Sequence, residues 1–381
     1  MIEWPLVVSL CFGAIVVLAL FQILRQSRRY RSLSLRRGAS QPASLPPVTV
    51  IVPARNERHN IESCLRRLTK QNYPAEKLRI IAVDDGSTDG TAGLIRSVAA
   101  DTSGRVELIE APALPPGWAG KPQACWLGAR AATSEWLCFI DADTFAEPML
   151  LRTAITTARR AGIDMASLSP FQEFGGFFAS LVVPLGFAAL AATQTSKDIS
   201  VAGQFILIRT DCYFRVGGHA AHPSSVCEDL ELARAVRKAG YASAVFRGDR
   251  LIRARMYRNA TAVWEGFAKN LADMYGGTAR TLAIVTLVLF VGWGAVLLPA
   301  HVIFMLMQGR NPLALLEAAI ALPAALAVFS LQIALARYLR LSILYALLPP
   351  LSATAAAAMA VNSVSCKLLG RVSWKGRVYR P

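Results

Sequence analysis

Charge is what this chain has least of. Asp, Glu, Lys and Arg make up 17% of its 381 residues against 54% hydrophobic ones, which excludes an ordinary soluble domain covered in polar surface. Acid is scarcer than base, 25 residues to 41, and the resulting net charge of +16 favours anionic partners. There are only four histidines. Two of them, His219 and His222, lack a third ligand in any metal-binding spacing and read as loop residues. The seven cysteines contain no C-x-x-C pair, which removes zinc ribbons and dithiol redox motifs. Most sit among apolar neighbours, as small core residues of a reduced compartment do.

Two common nucleotide loops are missing as well. No G-x-G-x-x-G follows the first strand-like run, so dinucleotide binding loses its support. Gly117-Trp118-Ala119-Gly120-Lys121 is not a Walker A loop, because Pro115 stands where glycine is required and Pro122 where Ser or Thr is. The first apolar run does not read as a cleavable leader either. Trp4 to Leu24 is uncharged, and Arg25, Arg28, Arg29, Arg31, Arg36 and Arg37 follow it rather than precede it. The run therefore reads as an uncleaved transmembrane anchor whose C-terminal end lies in the cytosol. The basic clusters flank apolar runs instead of interleaving with aromatics on one face. That argues against nucleic acid and leaves a lipid bilayer and an anionic substrate as partners.

What is present has a clear order. Residues 1–25 form the anchor, and 26–47 a basic linker ending in the Pro- and Ser-containing stretch Gln41 to Pro47. Apolar strand-like runs at Val48–Val52, Leu78–Val83, Val106–Ile109 and from Trp136 alternate with helical spacing at Asn60–Thr69, from Thr91 and at Lys121–Ala132. This alternation predicts right-handed βαβ units and a parallel sheet. A helix over Glu147–Gly162 and a strand over Met165–Leu168 continue it. Further on come a strand over Gln204–Arg209, a helix over Val226–Gly240 and a strand over Tyr241–Phe246, so the domain spans 48–250. Phe177–Thr195 is apolar enough to span a bilayer. Spanning would put the next segment on the opposite side from Asp141, so this stretch is expected to lie in the membrane interface or line an acceptor entrance, loosened by Pro184 and Gly186.

Residues 251–280 are basic and aromatic, as in an amphipathic helix on a membrane surface. The membrane region 281–366 begins with spans at Thr281–Met307 and Pro312–Ala336. Leu341–Ser365 is expected to re-enter rather than cross, because Pro349-Pro350 should break it and the tail 367–381 is basic.

Three strands end in polar turns, where open α/β sheets bind ligands. The last runs into Asp141-Ala142-Asp143. In extended chain these carboxylates would point the same way, and so few hard oxygen ligands suit Mg2+ or Mn2+ held with substrate phosphates. Alone, such a pair reads sooner as a strand end capping the next helix; what lies on either side turns the reading. Asp85 is placed to accept from a uracil-like ring N–H. Pro53, Arg55 and Glu57 could wall in a base and ribose, with Asp84 beside them. Lys121 at a helix start suits phosphate. Asp229, early in a helix, is the candidate general base, its ionised form favoured by the helix dipole, although Glu228-Asp229 is also what an ordinary helix start carries. Gln204, Glu228 and Arg258 fall on the acceptor or diphosphate side.

Taken in sequence, Pro53-Ala54-Arg55-Asn56-Glu57, Asp84-Asp85-Gly86-Ser87-Thr88-Asp89, Gly120-Lys121, Asp141-Ala142-Asp143 and Cys227-Glu228-Asp229 resemble the family 2 inverting glycosyltransferases. The resemblance covers residues 48 to about 247. It implies a Rossmann-like GT-A domain with a mostly parallel sheet, one N-terminal and two to three C-terminal transmembrane segments. It also implies a nucleotide-sugar donor, usually UDP-linked, with Mg2+ or Mn2+ at Asp143 and Asp141 and single displacement with inversion, Asp229 acting as base. Leu114-Pro115-Pro116-Gly117-Trp118 and Trp374-Lys375-Gly376-Arg377 look like the lipid-modifying branch, which resembles ceramide glucosyltransferases and the hopanoid- and carotenoid-associated enzymes. The sequence departs from processive polysaccharide synthases, whose QxxRW motif is replaced by Arg255-Met256-Tyr257-Arg258. Two other readings remain open here: such a synthase, and a non-catalytic membrane scaffold or lipid-translocation component.

Overall fold

The short apolar runs that end in acidic turns become the centre of one sheet. In a computed structural model, residues 4–29, 31–32, 44–102, 104–174, 176–193, 201–225, 227–248, 250–255, 259–309, 313–374 and 377–379 are described. Most of the basic linker and Arg258 lie outside them. The chain opens with α1 (Trp4–Arg29) and an edge strand β1 (Arg31–Ser32). Next come β2 (Val48–Ala54), α2 (Ile61–Leu68), β3 (Leu78–Asp84), α3 (Thr91–Asp101), β4 (Val106–Glu110), α4 (Gly120–Ala131) and β5 (Trp136–Ile140). After a turn follow β6 (Thr144–Ala146), α5 (Leu150–Arg160), β7 (Met165–Ser169), β8 (Phe171–Gln172) and α6 (Gly176–Thr193). Then come β9 (Phe205–Arg209), α7 (Thr210–Arg215), α8 (Glu228–Lys238), β10 (Ser243–Arg247) and β11 (Ile252–Ala254). The rest is α9 (Ala260–Met274), α10 (Thr278–Gln308), α11 (Ala314–Tyr338), α12 (Pro349–Leu368) and a small hairpin, β12 (Val372–Trp374) and β13 (Arg377–Tyr379).

The main sheet has the order β1-β10-β7-β9-β5-β2-β3-β4, and every neighbouring pair is parallel except those of β9. β9 runs antiparallel to both β5 and β7. The reason is the path of the chain. It leaves β7 at the strand's carboxyl end, passes through β8 and α6, and re-enters the sheet from that same side. The reversal puts residues 203–204, just before β9, at the carboxyl ends of the parallel strands, where ligands sit in such folds. Fully buried Ile51, Ile81 and Leu137 belong to one face of the sheet, and Val50, Ile80 and Cys138 to the other, as period-two strands covered on both sides require. Helix α4 presses so close that a Cβ on Gly128 would lie 2.5 Å from the Ile51 side chain. Gly128→Ala should therefore lower stability by about 1–3 kcal/mol, read as a lowered unfolding midpoint of the purified protein.

Among the described residues, α1, α6, α10 and α11 are long and apolar enough to cross a membrane. Both ends of α6, however, lie on the side facing the α/β domain. Phe177 packs on Tyr345, ring centroids 5.3 Å apart, and the Thr193 carbonyl accepts from Arg280 in the first turn of α10. Pro184 lies inside α6 without ending it. Two expectations change. Pro349-Pro350 begins α12 rather than breaking a helix, as proline at the first helical positions does. From there α12 runs back along α10 to α9, where Ser363 accepts from the Ala272 N–H and Lys367 pairs with Asp273. The 251–280 segment also divides. Its start is β11, paired with β6 and β8, so Arg253 and Arg255 form ion pairs with Glu147 and Glu173, and only α9 remains for an interfacial role.

Candidate active site

The first wall of the site is built by two loops that lock together. Asn56, in the left-handed region at φ 52°, donates its N–H to Ser87 Oγ and accepts from the Thr88 N–H. The Arg58 N–H bonds Asp89, and the Glu57 N–H bonds Thr91 Oγ1. Arg55 donates to the Asp85 carbonyl at 2.5 Å, the Asp85 N–H donates to the Ala54 carbonyl, and Asp84 caps Ser87 N–H from within. Pro53, Arg55, Glu57, Asp84 and Asp85 are thus gathered at the ends of β2 and β3, with Asp84 and Asp85 buried.

The second wall is electrostatic. Lys121, in the first turn of α4, places Nζ 2.8 Å from Asp141 and 2.9 Å from Glu228. The three residues come from separate parts of the chain, the start of α4, the turn after β5 and the start of α8. Burial opposes the Lys121 charge, but the two carboxylates outweigh it and hold the ammonium well above its usual range. Burial likewise raises Glu228, and the charges of Lys121 and Lys269 reverse it, so Glu228 lies below the ordinary carboxylate range. Asp229 behaves differently. Burial and the Glu228 charge push it up to about 6, against the opposing pull of Lys121 and a bond from the Leu230 N–H. The expectation that a helix start favours its ionised form is therefore corrected: desolvation and a like charge next door exceed the helix term.

The acidic pair is also placed differently from expectation. Asp141 and Asp143 lie on a turn closed by the Thr144 N–H on the Asp141 carbonyl, not on extended strand, so turn geometry rather than strand alternation sets their directions. The Asp141 N–H donates to the Gln204 carbonyl at 3.1 Å, which brings the segment before β9 into the site. Gly203 lies against Asp229, where a Cβ would stand 2.6 Å from Oδ2.

Among the described residues no three His, Cys, Asp or Glu side chains gather around one point. The chain thus offers two hard carboxylates and leaves other positions to substrate and water. That donor set fits Mg2+ or Mn2+ and not structural zinc.

Sequence reasoning missed Lys269 as a site residue, a half-buried cation that interacts electrostatically with Glu228 and Asp141 from α9. In the sequence it is one of several basic residues of the 251–280 stretch, and on α9 it lies opposite the apolar face that carries Phe267 and Leu271. His219 is not a loose loop residue: it is buried, shares a 2.8 Å hydrogen bond with the Tyr213 hydroxyl, and burial pushes it down to about 4.

Residues 49–211 match the family described as glycosyl transferase family 2, and this part of the chain is a family 2 glycosyltransferase domain with the GT-A fold. Two curated relatives, 4,4'-diaponeurosporenoate glycosyltransferases of Staphylococcus aureus, are each 28% identical. The strain USA300 protein aligns over 61% of this chain and 62% of its own length, and the strain MRSA252 protein over 64% and 66%. The match therefore spans under two thirds of the relatives' length. Among solved structures, a mannosyltransferase from Pyrobaculum calidifontis in complex with GDP-Man and Mn2+ superposes with a TM-score of 0.57. It is 22% identical, covers 96% of this chain and 99% of that one, and shares the fold.

Proposed function

We propose that this chain transfers a single sugar from a nucleotide-sugar donor, UDP-linked in the first instance, to the hydroxyl of a membrane lipid at the cytosolic leaflet. The observation that carries the reading is the Lys121 bridge between Asp141 and Glu228, with Asp229 one residue further along the helix start. Asp229 takes the proton of the attacking hydroxyl, whose oxygen forms a bond to the sugar's anomeric carbon. The bond from that carbon to the diphosphate breaks on the opposite face, and the nucleoside diphosphate leaves with both electrons. One displacement of this kind inverts the centre. Asp85, Pro53, Arg55, Glu57 and Asp84 surround the base and ribose, while Lys121 lies where diphosphate charge gathers. Asp143 and Asp141 would hold a divalent metal ion, which supplies positive charge to the leaving group. Gln204 and Glu228 border the acceptor side.

The relatives support a lipid acceptor because they are named for glycosylating a diaponeurosporenoate. That name ends in a carboxylate, which arrives already ionised and demands less of a base. The +16 charge and the α1, α10 and α11 helices support a membrane setting with the basic side in the cytosol.

The test is a screen of purified protein in detergent against UDP- and GDP-sugars with bacterial lipid extract, products read by mass. A single-sugar lipid product bears the proposal out. Long polymers would establish a processive synthase instead, and no donor turnover with any lipid would leave a scaffold. In the same assay, chelation with EDTA should lower transfer by about 10²-fold or more, restored by Mg2+ or Mn2+, and Asp143→Asn should show the same loss without restoration.

A further inference from the structure

Between α1, α6, α10, α11 and the start of α12 the helical region encloses a cavity of about 510 Å³. Among the described residues no Asp, Glu, Lys or Arg side chain lines it, and its walls are almost wholly apolar. Its depth follows from helix rise. On α10 the lining runs from Ile284 to Gly292, about 9–21 Å from Thr278 at 1.5 Å per residue. On α1 it runs from Ile15 to Ile23, again about 9–21 Å from Arg29. On α11 it runs from Val328 to Ala336, about 3–15 Å from Tyr338. Those three helix ends face the α/β domain: Arg29 leads into β1 of the main sheet, Thr278 follows α9, and Arg340, just past Tyr338, stacks over Phe171 of β8 at 5.2 Å. The cavity thus occupies the half of the bundle next to the catalytic domain.

The cavity is also polarised. Gln22 and Gln332 lie toward the domain-side ends of α1 and α11, and Thr193 ends α6 beside Arg280. Toward the far end Phe12, Ala295 and Ala324 pack in an apolar cluster that shares Val16 and Val328 with the cavity wall. A neutral hydroxyl among amides, with an apolar chain running away from the domain, matches this layout. Among the described residues the lining offers a phospholipid headgroup no charged partner. So apolar a space, with so few polar partners, is not a site for water. The wall continues toward the chemistry: α6 lines the cavity from Ser180 to Thr193, and the same chain reaches Gly203 against Asp229 ten residues later.

We propose that this cavity holds the hydrocarbon chain of the acceptor lipid, a single-chain neutral alcohol whose hydroxyl end points toward the α/β domain. The inference rests on the transfer reading above and adds where, and with what chain, the acceptor is held. The test uses the full chain in phosphatidylcholine nanodiscs with a C20 isoprenoid alcohol carrying a diazirine on its tail. Photolysis should label α6, α10 and α11 on the cavity side, and unlabelled C20 alcohol should compete at least tenfold better than added phosphatidylcholine. Label found only elsewhere, or equal competition by phosphatidylcholine, overturns the proposal, the latter marking a structural lipid. Val288→Trp fills the cavity from α10 and Leu331→Trp from α11, so misfolding of one leaves the other to answer. Either should lower labelling at least tenfold, and should lower the ratio of sugar transfer to C20 over C6 alcohol at least tenfold. Labelling and ratio equal to wild type in a folded variant would refute the site. Labelling needs no turnover, so intact labelling without transfer to any lipid would instead refute the transferase reading.

Discussion

Asp229→Asn is expected to lower sugar transfer by about 10³-fold, within the range lost when a positioned base is removed, while donor binding changes little. The amide keeps the shape and accepts no proton. The wild-type pH profile gives a second reading of the same residue. With Asp229 raised to about 6, the base is mostly ionised at pH 7, and transfer should fall about tenfold per pH unit below that value. The variant's residual rate should lose this acid limb. Stability should move the other way. A carboxyl whose folded pKa exceeds its unfolded one gives stability that is present in full below the unfolded pKa and lost as pH rises through the folded value. At pH 8 the wild type therefore carries the full cost of an ionised Asp229 beside Glu228, and the asparagine variant should unfold at the same temperature or higher. An inactive variant that is also markedly less stable at pH 8 would make Asp229 structural. Full turnover in a folded variant would remove it from the chemistry. If the acceptor is a carboxylate, the loss should shrink to tenfold or less, because no proton must be taken.

Lys121→Met carries the next largest expected effect, about 10²–10³-fold in kcat/KM, the loss typical of one preorganised charge partner. The variant keeps the length of the side chain and removes the ammonium that bridges Asp141 and Glu228. Two further readouts separate a charge role from simple packing. Lys121 holds Asp229 down, so its removal should move the acid limb above pH 6. The carboxylates of Glu228 and Asp229 would then titrate as a pair. Glu228 is 7% exposed and would keep Lys269 as its remaining neighbouring cation, so stability near pH 8 should fall and partly recover toward pH 5 as the pair takes up a proton. Lys121→Arg should restore stability more than activity, because a planar guanidinium cannot occupy the same point between two carboxylates. An acid limb unmoved in Lys121→Met would separate Lys121 from the base.

The strands, their order of appearance and the acidic turns at their ends were legible because each is a local property. β2, β3 and β5 are short apolar runs buried on both faces, and a chain entering a parallel sheet has few other ways to write them. The identity of the candidate site residues was legible for the same reason, since Asp85, Lys121, Asp141, Asp143 and Asp229 each stand at the end of an element that the pattern marks. What could not be read was any quantity that depends on distant neighbours. The direction of β9 depends on which side α6 returns from, and that side is fixed by packing of α6 on α1, α9 and α12.

By itself the sequence determined an α/β protein with carboxylates at its strand ends and apolar runs long enough to cross a membrane. Composition, periodicity and turn residues act over a few positions and need no partner from elsewhere in the chain. Tertiary structure alone decided that Lys121 joins Asp141 to Glu228, that Lys269 from α9 adds a second positive charge, and that burial and the Glu228 charge push Asp229 up to about 6. Desolvation and Coulomb interactions depend on distance and burial, and here they are set by residues that the fold brings together from separate elements.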